Sequence, residues 1–424
     1  MNLRVLYIVH QFFPEFRAGT ERFVLNVASM MQKAGNFVKI LTYGFSGGET
    51  LEGDEGVLVK EYFYKSLSVI GLKHKDLPVN FHTACEDSRI YHFASRFLKE
   101  ERKYDLIHVA HPMRLASFTE AALESKIPYL LTLTDFFLIC PRVVLKTNSE
   151  ILCDGPDGGE RCGIVCHEIP IEIIKHRLSK AKDILFGAKG VVSPSTFLAS
   201  VFKKEFPELK IRILPHGLDY RSVRENKRIC RKGEKVILGY CGSIQPHKGV
   251  HVLIRAFREL NTENAELRLY GKWENEHYLR YLKDLMGEDK RIVFCGEYEG
   301  EEVGEVLNGI DVLIVPSLCY ESYSFVIHEA FACNVPVIAS NIGGLAEKVK
   351  EPITGFTFRV GDHEDLAKKL RYVVEESDQL NELKRRMREC LPPFMEEEAY
   401  LYERVYREIV KDMVPGNRLG KSSC

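Results

Sequence analysis

DVLIVPSLCYESYSFVIHEAFACNVPVIAS, residues Asp311–Ser340, decides the fold. Val312–Val315 is a short apolar run rich in β-branched residues, which predicts a strand buried on both faces. Pro316 and Ser317 break it. Ser324–Cys333 has a helical pattern, and Val335–Ala339 is a second apolar run. A strand, a loop, a helix and another strand in so few residues form a βαβ unit of parallel sheet.

The same alternation runs outward in both directions. Upstream lie Leu3–Val9, Val38–Thr42, Leu106–Val109, Tyr129–Leu133, Gly190–Val192, Ile211–Leu214, Val236–Tyr240, Leu267–Tyr270 and Arg291–Phe294, with helical patterns such as Glu21–Ala34 between them. The fold class is therefore α/β, with doubly wound parallel sheets. A length of 424 residues exceeds what one core usually supports. The polar stretch Asp219–Glu234 carries Arg221, Arg224, Lys227, Arg228, Arg231 and Lys232 and divides two strand-rich halves. It reads as a linker between an N-terminal domain, 1–218, and a C-terminal domain, 235–393. Two such domains facing across a cleft make that cleft the default ligand site. Pro392 and Pro393 precede a helix over Met395–Lys411 with an apolar stripe at Leu401, Val405 and Ile409; the tail 415–424 has no pattern and is expected to fray.

Hydrophobic residues make up 45% of the chain and charged residues 28%, which excludes a disordered chain. Lys and Arg total 59 against 60 Asp and Glu, so no global charge draws the chain to nucleic acid. No apolar run reaches the roughly 18–20 residues of a membrane span. The N-terminus reads as a buried strand, not a signal peptide, so a cytoplasmic location is expected.

Glu321 falls in the loop after the strand, and Glu329 about one turn inside the helix. Loop amides and a helix N-terminus suit a phosphate or diphosphate. A carboxylate there suits hydroxyls, so the pair suggests a phosphate flanked by polyhydroxy groups. The plainer alternative makes Glu321 a solvated loop residue and Glu329 a dipole partner.

With the pair stand Pro336–Ala339, Gly343-Gly344, Glu347, PEFRAGTE (Pro14–Glu21), DLIHVAH (Asp105–His111), VSPS (Val192–Ser195), PHGLD (Pro215–Asp219) and GSIQPHKG (Gly242–Gly249). Together they resemble the family 4 retaining glycosyltransferases, whose two Rossmann-like domains face across a cleft in the GT-B fold. The resemblance implies transfer of a sugar, as by a hexosyltransferase, from a nucleotide-diphosphate sugar to a glycan or lipid-linked acceptor. Polysaccharide or cell-envelope synthesis is the implied setting. No cofactor is required for catalysis, and Lys248 with the helix N-terminus would take the place of a metal on the diphosphate. By the same resemblance Glu329 binds ribose, Glu321 contacts the transferred sugar, and Ser322, Tyr323, Ser324, Phe325 and Val326 offer backbone amides. Ser243 stands where the family usually has Arg. Gly19, beside Ala18, belongs to the first-strand loop on the donor side. The terminal helix, 395–414, would pack back on the N-terminal domain. A sugar-nucleotide epimerase on the same fold, or a non-catalytic nucleotide-sugar-binding protein, stays open as an alternative.

In the N-terminal half His111 is the expected catalytic residue of the cleft, because Pro112 ends the strand there. His108 and Asp135 are candidate sugar or acceptor contacts. Cys140, Cys153, Cys162 and Cys166 cluster around a loop, and reduced clustered thiols suit a structural zinc ion. Disulfides and free thiols are the alternatives. IPIEIIKHRLSKAKDILF (Ile169–Phe186) reads as a basic amphipathic helix, suited either to peripheral docking on an anionic membrane or to plain solvation.

Overall fold

The computed structural model describes residues 2–47, 50–52, 56–76, 84–100, 104–221, 229–231, 233–300, 302–387 and 390–413. The chain forms two compact units: Met1–Gly217 together with the segment from Met395, and Leu218–Phe394.

In the first unit the strands are β1 (Arg4–Val9), β2 (Phe37–Tyr43), β3 (Leu51–Glu52), β4 (Val57–Tyr64), β5 (Leu67–His74), β6 (Leu106–Val109), β7 (Tyr129–Thr132), β8 (Gly190–Ser193) and β9 (Ile211–Ile213). Among the described residues they make one sheet in the order β3-β4-β5-β2-β1-β6-β7-β8-β9. The pairs from β5 to β9 are parallel. β1, β6 and β7 are almost wholly buried, as strands covered on both faces must be. At the β3 edge the sheet departs from the all-parallel expectation, since β4 runs antiparallel to both β3 and β5. The β4–β5 hairpin turns through Lys65 and Ser66, both at positive φ (45° and 69°). That backbone is usually announced by Asn-Gly, and Lys-Ser gave no cue.

The helix Met395–Met413 belongs to this unit. A helix of this length is marginal alone in water, so its stripe needs a partner. Ala399, Tyr402, Val405, Tyr406 and Ile409 are buried. Tyr406 Oη lies 3.0 Å from Tyr7 Oη and 2.7 Å from His108 Nδ1. Glu398, itself buried, pairs with His216 Nδ1 at 2.8 Å and accepts the Gly217 N–H at 2.8 Å. The Pro215–Asp219 motif thus serves in part to hold this helix.

The second unit has β10 (Val236–Cys241), β11 (Ala265–Tyr270), β12 (Ile292–Gly296), β13 (Val312–Val315), β14 (Val337–Ser340) and β15 (Gly355–Phe358), all parallel, in the order β12-β11-β10-β13-β14-β15. Its core joins Leu238, Leu253, Phe257, Leu267, Ile314 and Leu366. A buried ion pair, Lys384 Nζ to Asp311 Oδ1 at 2.9 Å, sits beneath β10, whose Ile237 N–H donates to Asp311 Oδ2 at 2.9 Å.

The expected linker needs correction. Leu218 bridges to Phe394, Tyr220 stacks on Phe394 at 4.3 Å, and Cys230 is buried, with its N–H and C=O both bonded to the Asn381 amide. Backbone groups and rings that find partners make these residues part of the second unit. Residues 222–228 and 232 of that stretch, and the tail 415–424, lie outside the described residues.

Candidate functional site

In an open parallel sheet a ligand binds beyond the carboxyl ends of the strands, where the strand order reverses. In the second unit that place lies between β10 and β13. The loops leaving these strands touch: the Leu318 N–H donates to His247 O at 2.8 Å. Gly249, at φ 72°, makes the approach feasible, because a Cβ there would stand 1.9 Å from the Pro316 carbonyl oxygen.

The contact brings two expected residues together. Lys248 Nζ donates to Glu321 Oε1 at 2.8 Å, and Ser317 Oγ donates to the same oxygen at 2.6 Å. Burial works to raise the Glu321 carboxyl, but Lys248, Ser317 and His247 together bring it below its ordinary value. Burial likewise works to lower Lys248, and Glu321 overcomes it and holds the ammonium above its usual range. The Glu321 carbonyl accepts the Gly344 N–H at 3.0 Å, and a Cβ on Gly344 would come within 2.6 Å of that oxygen. The second glycine of the Gly343-Gly344 pair is thereby accounted for.

The helix after this loop spans Phe325–Ala332, slightly shorter than its pattern, with Ser324 at its N-cap and no side-chain cap. The first N–H groups of a helix lack intrahelical acceptors, so those of Phe325 and Val326 face the loop end as donors. Glu329 is buried within this helix. Burial and then Glu329 push the Cys333 thiol up to about 12, and the same two causes raise Cys241 at the end of β10. Those effects place the Glu329 carboxylate beside β10. Ser243 is exposed in the loop after β10, with its carbonyl accepting from Tyr240 Oη at 2.6 Å. His328, which the sequence reading did not single out, fixes Tyr323. Its Nδ1 lies 2.8 Å from Ser324 O, an atom that only accepts, so Nε2 is left to accept from Tyr323 Oη at 3.1 Å. The two rings stack at 4.5 Å and 6°. The i, i+4 spacing Ser324–His328 was the available signal.

In the first unit the order reverses between β1 and β6. His10 follows β1, His111 follows β6 and Asp135 follows β7, while Glu21 lies in the first turn of the helix Gly19–Lys33. Three neighbouring strands and one helix start therefore converge. His111 Nε2 lies 2.8 Å from Asp135 Oδ2, and the Met113 N–H points to His111 Nδ1 at 3.3 Å. The backbone donor fixes Nδ1 as an acceptor, so Nε2–H donates to Asp135. The His10 and His111 rings lie 3.9 Å apart, and His10 Nε2 is 3.7 Å from Glu21 Oε1. Burial, then His111, brings His10 down to about 3, against the pull of Asp135. Burial raises Glu21, and its Oε2, like His10 Nδ1, has no hydrogen-bond partner. His10 and Glu21 were missed; a histidine closing the first strand and an acid closing the Pro14–Glu21 motif were the signals.

Three expectations change here. His111 is 2% exposed with both nitrogens engaged, whereas the Asp135 side chain is 30% exposed, so Asp135 is the member able to meet a ligand and His111 is what holds it. His108 is not a ligand contact: it is fully buried between Tyr406 Oη and Thr132 Oγ1, each 2.7 Å away, and burial lowers it to about 3. Gly19 is exposed as the first residue of its helix, with Ala18 at the N-cap.

The four clustered cysteines are buried and close enough that, after burial, the other three help push the Cys162 thiol up to about 12. Even so, among the described residues no three His, Cys, Asp or Glu side chains gather as ligands for one ion. Cys153 Sγ points instead at Gly155 O, 3.5 Å away. The positions do not fit the expected zinc site. The basic face is also largely spent within the unit. Lys175 pairs with Glu160, His176 and Lys180 pair with Glu86, Arg212 pairs with Glu408, and the buried Arg177 donates to Phe137 O at 2.8 Å. No helix of the described residues is long and apolar enough to cross a membrane.

Comparison with known proteins covers nearly the whole chain. The family described as glycosyl transferases group 1 matches residues 223–390, and glycosyltransferase family 4 matches residues 17–221. A lipopolysaccharide 1,2-N-acetylglucosaminetransferase of Salmonella typhimurium is 27% identical over 39% of this chain and 48% of its own. A D-inositol 3-phosphate glycosyltransferase of Stackebrandtia nassauensis is 30% identical over 40% of this chain and 42% of its own. The chain thus spans about half the length of the curated relatives it matches. Among solved structures, Anabaena HepE in complex with UDP superposes with a TM-score of 0.70 at 15% identity, covering 96% of this chain and all of that one. Sucrose-phosphate synthase of Thermosynechococcus elongatus gives 0.70 at 19%, over 97% and all of its own chain. These likenesses carry the two-domain GT-B fold.

Proposed function

The chain belongs to the group 1 glycosyltransferases, and on that premise we propose that it is a retaining glycosyltransferase that moves a sugar from a nucleotide-diphosphate sugar to a hydroxyl acceptor. The observation that carries the reading is the Lys248–Glu321 pair at the reversal point of the second sheet, beside the start of the helix that buries Glu329. Lys248, with the first N–H groups of that helix, would bind the diphosphate and stabilise it as it departs. Glu329 would accept from ribose hydroxyls and Glu321 from the transferred sugar. Ser243 stands where a second cation would assist, so Lys248 carries that charge with the amides. Glu321 is already held by Lys248 and Ser317, which disfavours it as a covalent nucleophile. Attack on the same face as the leaving group, with the diphosphate taking the acceptor's proton, needs no other base. Asp135 would orient the acceptor. Neither metal nor organic cofactor enters this chemistry. A glycan or lipid-linked acceptor suits it, and the relative that acts on lipopolysaccharide agrees with an envelope polymer.

The test is a thermal-shift panel of nucleotide sugars, followed by assay of nucleoside diphosphate release without acceptor. Ligand stabilisation follows RT ln(1 + [L]/Kd). One nucleotide sugar should raise the melting temperature and be slowly hydrolysed with retention at the anomeric carbon. Stabilisation without any release would leave a binding protein. Release of an epimerised sugar nucleotide would make it an epimerase.

A further inference from the structure

The acceptor's chemistry can be read from the first unit, on the premise that the transferase reading holds. Beyond the carboxyl ends of β2 and β5 lies a cavity of about 240 Å³ lined by Phe16, Tyr43, Phe45, Ser46, Lys73 and His74, among others. Its walls are built rather than incidental. The Phe45 ring lies on Gly71 of β5, where an added Cβ would stand 2.8 Å from it, so only glycine lets the ring lie so close. Tyr43 Oη donates to His74 Nδ1 at 2.7 Å and accepts the His74 N–H at 3.3 Å. His74 Nε2 is in turn directed at Asp87 Oδ2, 3.2 Å away. The Tyr43 hydroxyl is therefore satisfied, and the ring presents an apolar surface.

Around these rings the charge is mainly positive. Lys60 Nζ lies 5.7 Å from the Phe45 centroid and is tied to the carbonyls of Ser46 and Gly47 at 2.9 and 2.8 Å. Lys73 Nζ lies 6.0 Å from the same ring. The Arg114 guanidinium stands 5.4 Å from the Tyr43 centroid, and its buried Nη1 has no hydrogen-bond partner. Arg114 is held there at φ 63° by its N–H to Ala84 O at 2.7 Å. Of the nearby acids, Glu15 accepts the Ser46 N–H at 3.1 Å and Asp87 pairs with Arg89 at 3.3 Å. A buried, unpaired N–H on a guanidinium is costly to leave so. An apolar pocket with a few convergent cations is what a ring carrying an anion requires.

We propose that this cavity is the acceptor subsite and that it takes an anionic acceptor: a sugar or polyol ring against Phe16, Tyr43 and Phe45, with its phosphate or carboxylate on Arg114 and Lys73. Such a phosphate can come from a soluble sugar phosphate or from a lipid-linked one.

Calorimetric titration of the full chain tests this. The probes are glucose 6-phosphate, glucose, inorganic phosphate, and phosphatidylcholine vesicles with and without polyprenyl phosphate. Glucose 6-phosphate should bind saturably and more tightly than either of its parts. Arg114→Lys and, separately, Lys73→Met should each weaken it about 10-fold or more, the scale of one charged hydrogen bond, while UDP binding stays unchanged. Binding only to vesicles that carry polyprenyl phosphate, with the same losses, would assign the lipid source. Absence of saturable binding to both phosphates, or binding indifferent to both substitutions, overturns the proposal. Because Lys73 is exposed, its variant is expected to melt like the parent and so remains informative if Arg114→Lys unfolds. Failure of donor release with anion binding intact would instead overturn the transferase reading.

Discussion

Both sheets carry their polar constellation where the strand order reverses, yet they fill that place with opposite chemistry. In the second unit it is charged: an ammonium on a carboxylate, backed by glycines and free amides. In the first it is mostly neutral: His10 is unprotonated, Glu21 is raised by burial, and the one strong hydrogen bond, His111 to Asp135, leaves only Asp135 open to solvent. The difference teaches what each half can bind. A pair such as Lys248–Glu321 can exchange its internal partner for a diphosphate and hydroxyls without stranding a charge. A cluster with unpartnered Glu21 Oε2 and His10 Nδ1 is set to position groups rather than to neutralise them.

Lys248→Ala should break the charged half hardest. Turnover should fall about 10²–10³-fold, the scale for one donor lost from a transition state, with the melting temperature little changed. An unaltered rate would mean that the pair is only structural.

Acid should separate the halves next. His10 and His108 in the first unit have folded values near 3 against 6.5 unfolded. Their contribution is present above pH 6.5 and is lost as pH falls from there toward 3, by about 1.4 kcal/mol per histidine per pH unit. Glu321, depressed from 4.5, keeps its contribution until pH drops below that value. Hydrogen exchange between pH 7 and 5 should therefore show protection lost in β1, β6 and β7 before β10 and β13. Uniform loss would remove the contrast.

Smaller still, Glu329→Ala should weaken nucleotide binding about 10–100-fold, as one or two charged hydrogen bonds would, measured by titration with the nucleotide that the thermal screen selects. The smallest effect expected is that of Tyr406→Phe. It removes a hydroxyl that bonds both Tyr7 and His108 and should cost about 1–3 kcal/mol in denaturant unfolding, with donor binding intact. A loss of donor binding would show that the terminal helix acts on the second unit.

The sequence by itself determined the α/β alternation, the two halves and the charged site, because those rest on local chemistry. Apolar runs fix buried strands, and a glycine at φ 72° or a lysine in a tight turn is read in place. Glu321 and Glu329 lie eight residues apart around one loop and one helix start, so their joint presence was legible. Only the tertiary structure decided the rest. His108 and His111 sit three residues apart on one strand end, and nothing local says that one is sealed under Tyr406, nearly three hundred residues later, while the other holds Asp135. His10 and Glu21 join that cluster because β1 lies beside β6, an adjacency set by sheet order rather than by chain order. The hairpin at Lys65-Ser66 and the packing of Cys230 into the second core were hidden for the same reason. A side chain's role there depends on what long-range packing brings against it, and spacing along the chain carries no record of that.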